Sequence, residues 1–296
     1  MRLSVIVPAT DRPVTLDACV KALAEAGSAD EIIVVTNAPR GGPSAARNRG
    51  VEEARGEIVV FVDADVAVHR DAIGRIRDAF SADPSLTALF GSYDAEPAAA
   101  GTVSRFRNLL HHHVHHKGAG EAATFWSGLG AVRRAPFEGV GGFDPAMRYV
   151  EDIDLGLRLA DRGARIRLDP EIAGTHLKRW TLAGMVRTDL LHRGVPWVRL
   201  MLRRREASGA LNLGPRHRLS ALASLALVGA VVARRPGVGA AALAALVVAN
   251  RDFYALLAQR LGPAGAVAGV GLHVLHHLTA VASVPAGVVL HLTERQ

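Results

Sequence analysis

Asp63 and Asp65 are two carboxylates one residue apart, and their spacing is the clearest sign of chemistry in this chain. They follow the apolar run Ile58–Val62, which is typical of a buried strand. Carboxylate oxygens are ligands that suit Mg²⁺ and Mn²⁺. The pattern therefore predicts a divalent-cation site, for Mg²⁺ or Mn²⁺, at a sheet edge where a phosphate group would meet the metal.

Further side chains of suitable chemistry lie downstream. His176 is a candidate third metal ligand, and an imidazole ligand would shift the preference from Mg²⁺ toward Mn²⁺. Arg47 and Arg179 are candidates to bind phosphate oxygens. Asp152, beside Glu151, is a candidate general base for an acceptor hydroxyl. If the acceptor were itself a phosphate, no base would be needed and Asp152 would orient it instead. Acids at a helix start are also common for capping alone.

The elements that would position these residues alternate between strand and helix. Apolar strands are predicted at residues 3–7, 31–35 and 58–62, and helices at 16–26, 45–54 and 71–80, the second capped by Ser44. This order predicts an α/β fold with a mainly parallel sheet flanked by helices. Ligands bind beyond the carboxyl ends of such strands. Other polar residues expected there are Thr10, Asp11 and Asn37.

The middle of the chain gives weaker patterns. Residues 86–93 are predicted to be a strand, and residues 165–168 a short last strand. Gly128 and Gly130 would let the backbone approach a ligand closely, although a plain turn explains them equally well. Five histidines between His111 and His116 could share a helix face and bind metal, or could form a polar helix or loop near the acceptor or a membrane.

Composition narrows the function classes. The formal net charge of the 296 residues is +7, but residues 1–178 contain 21 Lys and Arg against 24 Asp and Glu, whereas residues 179–296 contain 14 against 4. The basic excess lies beside the most apolar stretches, which favours anionic lipid over nucleic acid as the partner. Cys19 is the only cysteine, so a disulfide framework and a cysteine-built zinc site are excluded. We expect no secretory signal at the start.

The last third of the chain has the composition of a membrane-associated region. Residues 219–233, 238–250 and 264–292 carry no formal charge, and only the last run has the roughly 20 residues that a spanning helix requires. The first two could be a re-entrant hairpin. We predict basic interfacial helices at 181–218 and two or three membrane helices at 219–296, with a soluble helical domain as the alternative. The arginines before residue 219 would place the N-terminal domain in the cytoplasm, at the inner membrane.

A resemblance to a known family rests on five motifs of residues 1–180. The sequence resembles the family-2 inverting glycosyltransferases, which have the GT-A fold. The motifs are Ser4-Val5-Ile6-Val7-Pro8, Ala46-Arg47-Asn48-Arg49-Gly50, Phe61-Val62-Asp63-Ala64-Asp65, Val140-Gly141-Gly142-Phe143-Asp144 and Glu151-Asp152-Ile153-Asp154-Leu155.

The resemblance implies roles for several positions. It implies a metal at Asp65, with Asp63 toward the ribose and the metal, and Asp152 as the base, with His176 near the diphosphate. The segment from His176 to Trp180 also resembles the Gln-x-x-Arg-Trp element of membrane-bound and processive members, with His in place of Gln. The nucleotide pocket that the resemblance implies consists of Pro8, Thr10, Asp11, Asn37 and Arg47.

The function expected from these features is metal-dependent, inverting transfer of a sugar to a lipid or lipid-linked acceptor. The donor would be a nucleoside-diphosphate sugar. A UDP-sugar is favoured. Thr36-Asn37 stands where many members have paired aspartates that contact the base, and because of this departure a GDP-sugar remains open. The alternatives are a nucleotidyltransferase and a non-catalytic membrane scaffold with a degenerate nucleotide domain.

Overall fold

The computed structural model of the chain describes residues 1–37, 42–204 and 214–293. It divides into two compact units. The first unit combines Met1–Ala99 with Asn108–Arg179, and the second combines Ala100–Arg107 with the chain from Trp180 onward. Part of the predicted basic region and part of the loop after Asn37 lie outside the described residues.

The first unit alternates strands and helices, as the sequence predicts. Its helices are α1 (Leu16–Ala26), α2 (Gly42–Glu53), α3 (Ala72–Ala82), α4 (Thr102–Lys117, whose first turns belong to the second unit), α5 (Arg134–Gly139) and α6 (Glu151–Asp161). Its strands are β1 (Leu3–Pro8), β2 (Glu31–Val35), β3 (Ile58–Val62), β4 (Val66–Val68), β5 (Leu86–Tyr93), β6 (Gly120–Ala122), β7 (Leu129–Arg133) and β8 (Arg165–His176).

One sheet contains all these strands, in the order β2-β1-β3-β7-β5-β8-β4, with β6 paired to β8. The pairs β1–β2, β1–β3 and β5–β8 are parallel. The four other pairs, including both pairs made by β7, are antiparallel. The α/β fold is confirmed, but the expectation of a mainly parallel sheet is wrong: the sheet is mixed, because β7 enters between β3 and β5 in the opposite direction.

Two local predictions are also corrected. The last strand is 12 residues long instead of four, because β8 pairs with β5, β4 and β6 in turn. Helix α2 begins at Gly42, so Ser44 lies inside it. The Ser44 hydroxyl does not cap the helix. It donates at 3.0 Å to the carbonyl oxygen of Met147, which lies in a loop far away in sequence.

The core beside the strand end is aromatic. Phe61, on β3, is fully buried, and its ring lies 5.1–6.4 Å from the rings of Phe125, Phe137 and Phe143. Edge-to-face arrangements such as these stabilise a core beyond the area that the rings bury. The aromatic group therefore fixes the end of β3, from which Asp63 and Asp65 extend.

The second unit is helical. After residue 180 it contains α7 (Leu182–Arg187), a π-helical turn (Thr188–Gly194), α8 (Val195–Arg204), α9 (Pro215–Val232), α10 (Pro236–Ala249) and α11 (Arg251–Thr293). The three apolar runs of the sequence lie on α9, α10 and α11. Helix α11 is interrupted at Gly262, whose φ of 72° is non-helical. Among the described residues, only α11 is long and apolar enough to cross a membrane, whereas α10 is apolar but shorter.

After Gly262, the faces of α11 are reversed relative to a helix of a water-soluble protein, whereas before it Phe253 and Leu257 are buried in the usual way. His273, His277 and Ser283 are almost fully buried, with 2–3 % of their surface exposed. Val267 and Val289, in contrast, are 74 % and 58 % exposed. Polar side chains inside and apolar side chains outside are typical of helices that face lipid or an apolar partner.

Candidate active site

The predicted site residues gather at the carboxyl ends of β1, β2 and β3. Pro8 ends β1 and lies opposite Val35, the last residue of β2. Thr10, Asp11 and Asn37 follow these strands and are exposed. Because parallel strands end at the same edge of the sheet, the nucleotide-side candidates lie along one edge with Asp63.

Arg47, on α2, is the charged residue around which the site is built. Its side chain is 4 % exposed, and its Nη2 donates to Asp63 Oδ1 at 2.7 Å while its Nη1 donates to Glu151 Oε1 at 2.9 Å. Its guanidinium carbon also lies 5.3 Å from the centre of the Phe143 ring. A buried guanidinium needs such partners, because an unpaired charge in a low-dielectric interior is strongly unfavourable.

The turn from Asp63 to Val66 is held by main-chain hydrogen bonds. The Asp63 amide donates to the carbonyl oxygen of Gly128 at 3.0 Å, and the Val66 amide donates to that of Asp63 at 2.9 Å. The Leu177 amide donates to the carbonyl oxygen of Asp65 at 2.8 Å. The sheet therefore brings Asp65 to the end of β8, where His176 Nε2 lies 3.6 Å from Asp65 Oδ2.

The carboxylates of Asp63 and Asp65 and the imidazole of His176 are chemically suitable ligands for a divalent cation. Asp65 is partly buried, which by itself would raise its pKa, but the hydrogen bond and charge from His176 and the charge of Lys178 outweigh that effect and lower the pKa. Arg47 occupies one oxygen of Asp63. In the described part of the chain, no three His, Cys, Asp or Glu side chains are arranged to hold an ion by themselves. A cation here would need oxygens from another molecule.

Glu151 and Asp152 begin helix α6, as the sequence predicts. The main-chain amide of Ser127 donates to Asp152 Oδ2 at 3.4 Å, and that of Ile153 donates to Asp152 Oδ1 at 2.8 Å. The helix approaches so closely that a Cβ on Gly156 would lie 2.3 Å from the nitrogen of Phe125. This contact sets the start of α6 against the segment before β7.

The ionisation of Asp152 differs from that of an ordinary aspartate. Burial, followed by the negative charge of Glu151, raises its pKa to about 7, although Arg47 and the two amides act in the opposite direction. A carboxyl group with a pKa near the working pH can both accept and release a proton, as general base catalysis requires.

Gly128 and Gly130 have a packing role in this structure. A Cβ on Gly128 would lie 2.3 Å from the Trp126 ring, and one on Gly130 would lie 2.3 Å from the Trp126 carbonyl oxygen. The space beside both Cα atoms is thus filled by the chain itself. Their contact with a diphosphate or an acceptor stays a prediction.

Arg179 and Trp180 are neighbours in sequence but belong to different units. Arg179 is exposed at the end of the first unit. Trp180 belongs to the second unit, where its amide donates to the Ser104 hydroxyl at 2.8 Å and the Arg107 guanidinium lies 5.1 Å from its ring. The diphosphate and acceptor roles of both residues stay predictions.

Two supporting residues were not identified from the sequence. The Asn48 side chain donates to the carbonyl oxygen of Phe143 at 2.7 Å and accepts from the Phe143 amide at 2.9 Å, so it ties α2 to the glycine-rich loop. Asn48 follows Arg47 in one of the five motifs that resemble the family, and this position could have indicated a role near the site. Tyr93 stacks on His176 with ring centres 4.2 Å apart, and a strand-end tyrosine carries no signal of that contact.

The histidines of α4 form part of the packed first unit. The ring centres of His112 and His116 are 3.9 Å apart, and those of His111 and His115 are 3.8 Å apart. Both pairs are four residues apart in sequence, as expected for neighbours on one face of a helix. His112 and His115 also contact main-chain carbonyl groups of β5. The stretch is therefore helical and rests on the sheet.

Comparison with known proteins shows a similarity to one family within the first unit. Residues 36–141 match the family described as Glycosyl transferase family 2. The "Pre-mycofactocin glycosyltransferase" of Mycobacterium tuberculosis is 29 % identical over 161 residues, which are 52 % of this chain and 34 % of that protein. The chain thus spans about a third of the length of this curated relative.

A solved structure shows the same fold. The mannosyltransferase PcManGT from Pyrobaculum calidifontis, in complex with GDP-Man and Mn²⁺, superposes with a TM-score of 0.56 at 21 % identity, over 95 % of this chain and 86 % of that one. The likeness supports a GT-A fold, with the mixed sheet described above.

Replacing Arg47 with methionine tests the central ion pairs. Arg47→Met leaves Asp63 and Glu151 without their shared cation, so we expect the free energy of unfolding to fall by about 3 kcal/mol, the lower end of the range for a broken buried pair, since Asp63 is partly exposed. Arg49→Met, on the same helix, removes an exposed pair and should change it by less than about 0.5 kcal/mol. Denaturant titration measures both; equal losses in the two variants would contradict the central role of Arg47.

Proposed function

Because the chain contains a glycosyltransferase family 2 domain with the GT-A fold, we propose that it transfers a sugar from a nucleoside-diphosphate donor to an acceptor hydroxyl. The observation that carries the proposal is the arrangement around Arg47, which joins the strand-end Asp63 to the Glu151-Asp152 pair. The donor side and the base side of a transferase are thereby parts of one connected site.

The donor is a nucleoside-diphosphate sugar, with UDP or GDP as its nucleotide. Pro8, Thr10, Asp11 and Asn37 are the residues that we assign to the nucleoside, because they follow β1 and β2 at the edge that also carries Asp63. A solved protein with the same fold holds GDP-Man, which supports a donor of this class. Arg179 is exposed at the end of the first unit and is assigned to the diphosphate.

The reaction depends on Mg²⁺ or Mn²⁺ held by Asp65, with Asp63 and His176 beside it. When bound, the cation neutralises the charge that develops on the departing diphosphate. The described residues do not complete a site by themselves, so the diphosphate oxygens would supply the remaining ligands. The presence of Mn²⁺ in the structure of similar fold supports this assignment.

Asp152 acts on the acceptor. Its raised pKa allows the carboxylate to take the proton from an acceptor hydroxyl as the oxygen attacks the anomeric carbon. The leaving diphosphate departs on the opposite side, so the configuration of the sugar is inverted. The charge of Glu151, which is paired with Arg47, contributes to the raised pKa of Asp152.

The second unit would hold the catalytic unit at a membrane. The exposed apolar face of α11 and the 14 Lys and Arg against 4 Asp and Glu of residues 179–296 both suit an anionic lipid surface. The arginines would stay on the cytoplasmic side of the inner membrane by the positive-inside rule. A lipid or lipid-linked acceptor follows from that location.

The metal assignment is tested with Asp65→Ala. We expect calorimetry to show that Mn²⁺ strengthens binding of UDP or GDP to the wild-type chain, and that the variant loses this gain by at least about 10-fold, since a directly bound carboxylate contributes more than its outer partners. Asp78→Ala removes an exposed carboxylate of α3 and should behave as wild type. Release of sugar 1-phosphate instead of nucleoside diphosphate from the sugar donor would indicate a nucleotidyltransferase.

The role of Asp152 is tested by substitution and by pH. Asp152→Asn should lower kcat by roughly 10²–10⁴-fold while donor binding is kept, because only the proton transfer is removed. In the wild type the base must be ionised, so the rate should rise as pH increases through about 7. A rate for Asp152→Asn within a few-fold of wild type would instead point to an acceptor that is already an anion.

Membrane attachment is tested with charges on α11. The full chain should float with vesicles that contain anionic lipid. Val284→Glu with Val289→Glu places two carboxylates on the exposed apolar face and should reduce flotation at least about 10-fold, since each charge opposes insertion. Val14→Glu changes a valine of the first unit that is even more exposed, and it serves as the control. Equal flotation of all three proteins would contradict anchoring through α11.

A further inference from the structure

The histidine-rich part of α4 is a group of titratable side chains that the proposed function does not use. It contains His111, His112, His113, His115 and His116. These residues belong to the first unit and pack on β5, the strand that ends at Tyr93. A series of contacts connects this group to Asp65: His111 contacts Tyr93, Tyr93 contacts His176, and His176 lies beside Asp65.

Two of the histidines attach α4 to β5. His112 Nδ1 lies 2.9 Å from the carbonyl oxygen of Tyr93, and His115 Nδ1 lies 2.9 Å from that of Gly91. A carbonyl oxygen can only accept, so both Nδ1 atoms carry the proton. The pairing of β5 with β8 shifts register between Phe90 and Ser92, so the helix is fixed where the strand is irregular.

This attachment places the ring of His111 on the ring of Tyr93. Their centres are 4.2 Å apart with planes inclined by 35°. The opposite contact of Tyr93 is with His176, at 4.2 Å and 10°, which is a parallel stack. Trp126 meets Tyr93 at 5.0 Å and 88°, an edge-on contact, and Tyr93 is 8 % exposed.

The parallel stack bears directly on the site, because His176 is the residue beside Asp65. The main chain places His176 opposite Val66 in the β4–β8 pair, but it does not fix the rotation of the imidazole ring. Such terminal torsions are broad in the absence of packing. Stacking on Tyr93 fixes the ring plane and so keeps Nε2 directed at Asp65, 3.6 Å from Oδ2.

We propose that Tyr93, supported by His111, is a positioning residue that holds the His176 imidazole in place for the metal–diphosphate site. This inference rests on the proposed function. In this proposal Tyr93 acts through the His176 ring on which it stacks. It also gives the histidine-rich helix a role, since His112 and His115 hold the helix that carries His111.

The test compares Tyr93→Leu with Tyr93→Phe in the full chain. Tyr93→Leu removes the flat face, so we expect the Kd of Mn²⁺, measured by calorimetry with UDP or GDP bound, to rise roughly 10-fold, as for other outer partners of metal ligands. Tyr93→Phe keeps the ring and should stay within about 2-fold of wild type. His111→Leu should give a smaller rise in the same direction.

Phe90→Leu is the matched control for lost packing. Phe90 is a buried aromatic residue of the same strand, 4 % exposed, and its ring contacts His115 and Phe125. It should lower the melting temperature about as much as Tyr93→Leu but leave the Kd of Mn²⁺ unchanged. A second readout needs no metal: the ring-proton NMR signal of His176, assigned from its loss in His176→Gln, should move in Tyr93→Leu and stay in Tyr93→Phe.

The outcomes separate the two hypotheses. If Tyr93→Leu binds Mn²⁺ as tightly as wild type, or if Phe90→Leu weakens it equally, the positioning role is overturned and the proposed function stands. Wild-type protein that shows no Mn²⁺-dependent nucleotide binding would overturn the metal-dependent function, and the role of Tyr93 with it. A change confined to the Tyr93→Leu and His111→Leu variants supports the proposal.

Discussion

The buried guanidinium of Arg47 is the constraint on which the rest of the candidate site depends. It lies in the interior with 4 % of its side chain exposed, and Asp63 and Glu151 offset its desolvation by forming ion pairs. These partners lie on different elements, so satisfying one charge ties helix α2, the end of β3 and the start of α6 together. The same arrangement leaves Asp152 next to Glu151 in a dry position, and that position raises the pKa of Asp152.

A second constraint is the packing of aromatic and imidazole rings beside Asp65. Asp65 follows a strand that ends in a group of phenylalanines, and His176 reaches it from the end of β8. Tyr93 of β5 stacks on His176, and His111 of α4 packs on Tyr93, so rigid rings lie beside the end of β8. Sites built on such packed elements are held more closely than sites on loops, and this suits a reaction that depends on positioning.

The helical unit follows different physics. In the first unit apolar side chains are inside, and polar ones outside or paired. On α11 the order is reversed, with His273 and Ser283 buried while Val267 and Val289 face outward. Exposed apolar side chains beside buried polar ones are typical of a helix that faces lipid or an apolar partner.

The sequence by itself determined the strands of the first half, the position of Asp63 and Asp65, the helix that begins at Glu151 and the three apolar runs. Each of these depends on local periodicity or on a motif of adjacent residues. The tertiary structure decided the mixed sheet, the full length of β8, the pairing of Arg47 with Glu151 and the stacking of Tyr93 on His176. Such contacts join residues about 80 to 100 positions apart, and no local pattern encodes them, because only the folded chain brings those side chains together.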